Sequence, residues 1–257
     1  MSIFQAIILS IVEGLTEFLP VSSTGHMILV GKLLAIPQTE FVKSFEIIIQ
    51  LGAITAVVVL YFNTLIHRIS LWPKLLAAFI PTAILGLIFY NIVKQLLLGN
   101  VLVTVYALGI GGLLFILLEN IMGKKTFKTT TIDEISYKQS LIIGLVQSVS
   151  MIPGVSRSAA SIFGAMAVGI NRQTAVEFSF LLAIPTMAAA TVLDLLKSGF
   201  SFSVGDYQLL AIGFAGAFIT AIFAVKAFLK FIQSNTFIPF AWYRIALAVL
   251  FFFFFIK

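Results

Sequence analysis

The chain has 257 residues, 60% of them hydrophobic and 10% charged, where a soluble domain carries about 25% charged residues, so the composition excludes a soluble globule and indicates a polytopic membrane protein. Cysteine is absent, which removes disulfides and thiolate chemistry. The net charge of +6 suits basic loops on one side of a bilayer, and nothing here points to nucleic-acid binding.

Residues 2–12 are mostly apolar, but they lack a basic leader and run directly into an island with two glutamates, so they read as part of the mature protein. That island, residues 13–26, reads EGLTEFLPVSSTGH, and a second, PGVSRSAAS at 153–161, is the other polar break in the apolar density. A span needs about 20 apolar residues, which predicts six crossings near 42–62, 75–93, 101–118, 174–196, 207–231 and 238–256. Residues 1–36 and 137–170 each hold two apolar runs too short to cross alone, joined across a Pro/Ser break, and each reads as a re-entrant helical hairpin.

A hairpin plus three spans crosses the membrane an odd number of times, so the second half must start on the opposite side. The expected fold is therefore an all-α polytopic membrane protein with an inverted-topology repeat: residues 1–118, a cytoplasmic linker at 119–136, and residues 137–257. Pro20-Val21-Ser22-Ser23 matches Pro153-Gly154-Val155-Ser156 at a shift of 133, as Phe45 matches Phe178. The linker, with KKTFKTTTIDE, reads as a solvated connector.

The side holding the N-terminus carries Lys32, Lys43, Lys94, Lys197 and Lys257. The other carries Arg68, Lys74, Lys124, Lys125, Lys128, Lys138, Arg172, Lys226, Lys230 and Arg244, and as the richer side should be cytoplasmic, with both termini outside. The run Phe251–Phe255 reads as lipid-facing, with a homodimer contact as the other account.

Burying an ionisable group at mid-bilayer costs about 2.5–3.5 kcal/mol, so the islands call for a functional reason. Glu13 and Glu17 lie one helical turn apart, and two carboxylates crowded in a low dielectric supply an acid or base. Pro20 ends that helix, and Ser22, Ser23, Thr24 and Gly25 read as a turn opening a second one near Ser23. There hydroxyls and free N–H groups make an anion cradle, though serines also serve as ordinary caps. His26 follows Ser23 by three residues on the same face. In the second island Pro153 and Gly154 break the backbone, Ser156, Ser158 and Ser161 add hydroxyls, and Arg157 adds a planar cationic fork suited to phosphate. Brought tip to tip, these groups suit phosphoryl transfer; a secondary transporter or lipid flippase with a midplane anion site is the reading from another class.

At these residues the chain resembles the undecaprenyl-diphosphatase family of bacterial membrane phosphatases, also called bacitracin-resistance proteins. Glu13-Gly14-Leu15-Thr16-Glu17 matches the family's paired-acid motif, and Pro153 to Ser161 matches PGxSRSxxT with serine at the final threonine. LPVSSTGH, FEIIIQLG, EFSFLLAIP and FIPFAWYR extend the likeness over essentially the whole chain. The resemblance implies hydrolysis of undecaprenyl diphosphate to the monophosphate carrier of peptidoglycan synthesis, in the bacterial plasma membrane, with the site open to the extracytoplasmic side. It implies Glu17, Ser23, His26 and Arg157 as catalytic, Glu13 in support, and Ser22, Thr24, Gly154, Ser156 and Ser158 lining the diphosphate pocket. From the residues alone, Gly25 and Ser161 join that pocket. Ser23 attacks with His26 or Glu17 as base, or His26 attacks directly. Glu13 and Glu17 could also hold a divalent cation, magnesium or calcium, against the phosphate oxygens.

Overall fold

A computed structural model describes residues 1–97, 100–122, 127–198 and 202–255. Among these residues twelve α-helices follow one another: α1 (Ile3–Thr16), α2 (Ser23–Leu33), α3 (Glu40–Ile48), α4 (Gln50–Leu60), α5 (Phe62–His67), α6 (Leu71–Ile92), α7 (Val101–Met122), α8 (Tyr137–Gln147), α9 (Arg157–Ala167), α10 (Arg172–Ser198), α11 (Val204–Ile232) and α12 (Ile238–Phe255). No strand occurs among the described residues, and an isolated bridge joins Thr129 to Ile170.

Among the described residues five stretches are long and apolar enough to cross a membrane: Glu40–Leu60, Leu71–Ile92, Val101–Met122, Arg172–Lys197 and Val204–Ile232. They correspond to five of the six expected spans. The sixth is α12, a shorter helix over the described residues, so the protein is all-helical and multi-pass. At 1.5 Å per residue α1 is about 21 Å long, and α2, α8 and α9 about 16 Å each, against a hydrocarbon core of about 30 Å.

Residues 3–122 and 137–255 each open on two short helices, α1 and α2 in the first and α8 and α9 in the second, although the first stretch has seven helices and the second five. Capping chemistry recurs with the short pair. Ser2 and Gln5 form a capping box at α1, and Ser136 and Gln139 form one at α8. Ser22 caps α2 and Ser156 caps α9. These pairs sit 134 apart (136 − 2 and 156 − 22), one more than the shift of 133 at which Pro20 aligns with Pro153, and the second break has one more residue between its proline and its cap, where Gly154 takes φ +95°.

The two sets of helices interlock. The first half's α1 packs on the second half's α11, and α8 packs on the first half's α6, while α7 pairs with α12 and α4 with α10. In lipid such contacts gain from close packing and hydrogen bonds rather than from leaving water, so small residues sit at the crossings. A Cβ on Gly14 would meet Ala217 O at 2.5 Å, and one on Gly144 would run into the backbone of Ala78. Thr82 Oγ1 donates to Gly144 O at 2.9 Å across that second contact. Gly144→Leu is therefore expected to overpack α6 against α8 by about 1–3 kcal/mol and to lower the unfolding midpoint in detergent by several degrees. An unchanged midpoint would contradict this crossing.

The linker is more ordered than a solvated connector. Over its described part the N–H of Lys128 donates to Gly169 O (3.1 Å), Arg68 pairs with Asp133 (3.0 Å), and Lys74 donates to the Asp133 carbonyl (2.6 Å). Of the counted charges, Lys124, Lys125, Lys257 and the Lys94 side chain lie outside the described residues. Arg244 is not a loop charge at all: it sits inside α12 with no exposed surface, in a stretch that the span 238–256 already covered. In the phenylalanine run, Phe253 and Phe254 are exposed and Phe251 is buried; the Phe255 side chain is outside the described residues.

Candidate active site

Helices α2 and α9, which follow the chain breaks at residues 17–22 and 152–156 (the two tips), begin in the same unusual way. Their cap residues Ser22 (φ +71°) and Ser156 (φ +82°) occupy a region that side chains other than glycine seldom enter, at a cost of about 1–3 kcal/mol each, and such strain clusters at functional sites. Ser22 Oγ accepts from Gly25 N–H (3.3 Å), and Ser156 Oγ accepts from Ala159 N–H (3.2 Å). Ser23 and Thr24, with Arg157 and Ser158, are then the opening residues of the two helices, whose N–H groups have no intrahelical acceptor.

The tips meet at Glu17. Helix α1 ends at Thr16, four residues before Pro20, leaving Glu17 as its C-cap, with a carboxylate only 5% exposed. Oε2 accepts a hydrogen bond from Ser23 Oγ. Oε1 accepts from Arg157 Nη2 at 2.8 Å, across 140 residues of chain. Arg157 Nη1 donates to Ser179 O (2.8 Å), its guanidinium lies 5.6 Å from the Phe18 ring centre, and its Nε is buried with no hydrogen-bond partner. One carboxylate thus holds a hydroxyl and a cation from opposite halves of the sequence, at a spot nearly closed to solvent. Ser158 Oγ tightens the junction by donating to Leu19 O at 2.8 Å.

A cavity of about 390 Å³ opens above this junction. Its polar floor includes Glu17, Ser22, Ser23, Thr24, Ser156 and Arg157, with Gly154 beside them. Its walls are largely apolar and come from α6 (Phe79, Ala83, Leu87) and α10 (Met187, Ala190, Leu193). The shape suits a molecule with an anionic head and a hydrocarbon tail.

Other expected site residues stand off from the cavity. Ser158 is spent on the tip-to-tip bond and on Ser156 Oγ (3.0 Å). Ser161, one turn into α9, bonds to Ser179 Oγ (2.6 Å) and so ties α9 to α10 instead of facing substrate. Gly25 is where the tips approach: a Cβ there would come within 3.5 Å of Gly154 Cα. Glu13 lies fully buried one turn behind Glu17, against the Glu17 carboxylate and with no N–H or hydroxyl donor on either of its oxygens.

His26 is close to the site but turned from it. Nδ1 contacts Ser22 O at 2.8 Å and Nε2 contacts Tyr243 Oη at 2.7 Å. A carbonyl oxygen only accepts, so Nδ1 carries a proton, and in the neutral ring Nε2 accepts from the tyrosine hydroxyl. No hydrogen bond joins His26 to Glu17, Ser23 or Arg157. Tyr243 and Arg244 were the residues that sequence reasoning missed. The available signal was an arginine inside an apolar span, where an ionisable group calls for a functional reason.

Glu13 and Glu17 fit a hard divalent cation in donor chemistry, since Glu13 offers two buried oxygens with no N–H or hydroxyl donor on them. No group of three or more His, Cys, Asp or Glu suited to a metal occurs among the described residues, so further ligands would have to be phosphate oxygens or water.

The family described as Bacitracin resistance protein BacA matches residues 6–250 of the chain. A protein of Aquifex aeolicus (strain VF5) named Undecaprenyl-diphosphatase is 49% identical over 256 residues, covering 100% of each chain. One of the same name from Wolinella succinogenes is 50% identical over 254 residues, covering 99% of this chain and 98% of the relative. Another, from Methanococcus aeolicus, is 43% identical over 257 residues with both chains fully covered.

Proposed function

The chain belongs to the Bacitracin resistance protein BacA family, and on that premise we propose how it works as an undecaprenyl-diphosphatase. It is a membrane-embedded hydrolase that releases inorganic phosphate from undecaprenyl diphosphate and leaves the monophosphate. The observation that carries the mechanism is the Glu17 carboxylate shared between Ser23 and Arg157 at the floor of an apolar-walled cavity.

The tail lies along α6 and α10, and the diphosphate sits on the floor. Arg157, through its unbonded Nε and its fork, and the N–H groups opening α2 and α9 take the phosphoryl oxygens; these donors are fixed before substrate arrives, which is what stabilises a phosphoryl-transfer transition state. Glu17 accepts the Ser23 proton along their existing hydrogen bond. Ser23 Oγ bonds to the terminal phosphorus as the bridging P–O bond breaks, and undecaprenyl phosphate leaves with the proton from Glu17. Water, giving a proton to Glu17, then attacks the phosphoserine; the P–Oγ bond breaks, phosphate leaves, and Glu17 returns the proton to Ser23 Oγ, restoring both residues. His26 is assigned to support, holding the Ser22 carbonyl at the start of α2. Glu13 with Glu17 would hold any divalent cation, which would neutralise charge on the phosphoryl oxygens.

We read the two short-helix pairs as re-entrant hairpins of an inverted repeat, residues 1–118 and 137–257. The pair of short helices that opens each half and the matching caps support this reading, as does the exchange of α1 and α8 onto the other half's spans. Without Arg244 the basic count is nine against five, which still assigns the linker side to the cytoplasm of a bacterial plasma membrane. The cavity would then open outward.

Purified protein in detergent, given undecaprenyl diphosphate, is expected to release inorganic phosphate catalytically. No phosphate release, with transfer of the lipid between leaflets of reconstituted vesicles, would instead favour a flippase.

A further inference from the structure

Arg244 is a guanidinium with no exposed surface whose five hydrogen bonds all go to carbonyl oxygens. Nη1 donates to Pro20 O (3.3 Å) and Val155 O (2.9 Å), Nη2 to Gly154 O (2.7 Å) and Ala107 O (3.2 Å), and Nε reaches Leu108 O at 3.5 Å. One side chain therefore grips the backbone of both broken tips and of α7. The Phe115 ring lies 4.7 Å beneath it, and the absence of a side chain at Gly111 makes the space: a Cβ there would come to 3.0 Å from the guanidinium carbon.

In a planar trans peptide the C=O and N–H point opposite ways. Drawing the Val155 carbonyl onto Arg244 therefore turns the Ser156 N–H to the other face, and Ser156 lines the cavity. The same turn of α12 grips the first tip a second time, through Tyr243 and His26. Among the described residues no carboxylate pairs with this cation. Neutral dipoles solvate it, so its charge is left for an anion bound at the tips to balance.

We propose that Arg244 is a positioning residue for the phosphatase reaction, resting on the reading above: it sets the two tips in one register so that their N–H groups face the diphosphate, and its buried charge favours the anion gathered there. Lysine, a point charge with three donors, cannot span five carbonyls in one plane.

The test uses the purified full chain in detergent, with kinetics on undecaprenyl diphosphate and thermal unfolding measured together. Arg244→Lys is expected to lower kcat about a hundredfold, the scale expected of a misplacement near 1 Å, with KM changed less than about threefold. Gly111→Ala keeps the arginine but displaces its fork, and is expected to give the same kcat-dominated loss. Gly109→Ala, whose Cβ would make an ordinary 3.5 Å contact with Ala248, is expected to stay at wild-type rates. Wild-type kcat in both Arg244→Lys and Gly111→Ala overturns the proposal, as does a loss that merely follows the folded fraction. A wild-type protein that releases no phosphate overturns the functional reading instead, so the two failures are distinguishable.

Discussion

Arg157→Ala is expected to cost phosphate release at least about a thousandfold in kcat/KM, the range in which an arginine acts on a transferring phosphoryl group. Arg157 is the cation that the second tip brings to Glu17, and its Nε is a buried donor with no partner in the protein. An unfilled buried donor is costly unless a ligand takes it, and a diphosphate oxygen is the ligand at hand. Arg157→Lys should recover only part of the activity, because an ammonium cannot serve Glu17, Ser179 O and phosphate in one plane. The tip should stay in place in both variants, since Ser158 still reaches Leu19 O and Ser161 still bonds Ser179. Thermal unfolding in detergent checks this alongside the phosphate assay, and an Arg157→Ala protein with near wild-type turnover would remove the residue from the mechanism.

Ser23→Ala should be comparably damaging, by about a thousandfold or more in kcat, for a different reason. It deletes the atom that attacks, while leaving Arg157 on Glu17 and the N-terminus of α2 capped by Ser22. In the wild type, rapid quench with labelled substrate should place phosphate on Ser23. The position of His26 makes it a poor competitor: one ring nitrogen is held by the Ser22 carbonyl and the other by Tyr243. Label found on His26, or sustained turnover in Ser23→Ala, would reverse the assignment of nucleophile.

The spans, the two islands and the trio of Glu17, Ser23 and Arg157 were legible in the sequence for one reason. Charge and broken backbone are expensive in a bilayer, so each occurrence flags itself. What stayed hidden depended on direction, which spacing does not encode. Ser23 and His26 share a helix face three residues apart, yet one side chain reaches Glu17 and the other reaches across to α12. Ser161 repeats the hydroxyl pattern of its island but lies one turn too deep to see the cavity. Arg244 counts among the loop charges only by residue type, and spacing does not announce its five carbonyl partners, which come from three separate stretches of chain. The offset between the halves is 133 at the prolines and at Phe45 and Phe178 but 134 at the caps, a one-residue difference that only the backbone at the caps makes visible.

That one catalytic unit is assembled from both tips is tested most directly by a double-mutant cycle between Glu17 and Arg157, read as kcat for phosphate release from undecaprenyl diphosphate. Residues acting as one unit are strongly non-additive, so Glu17→Gln with Arg157→Ala is expected to be little worse than the more damaged single variant. Losses that multiply, with each residue contributing independently of the other, would contradict the shared site.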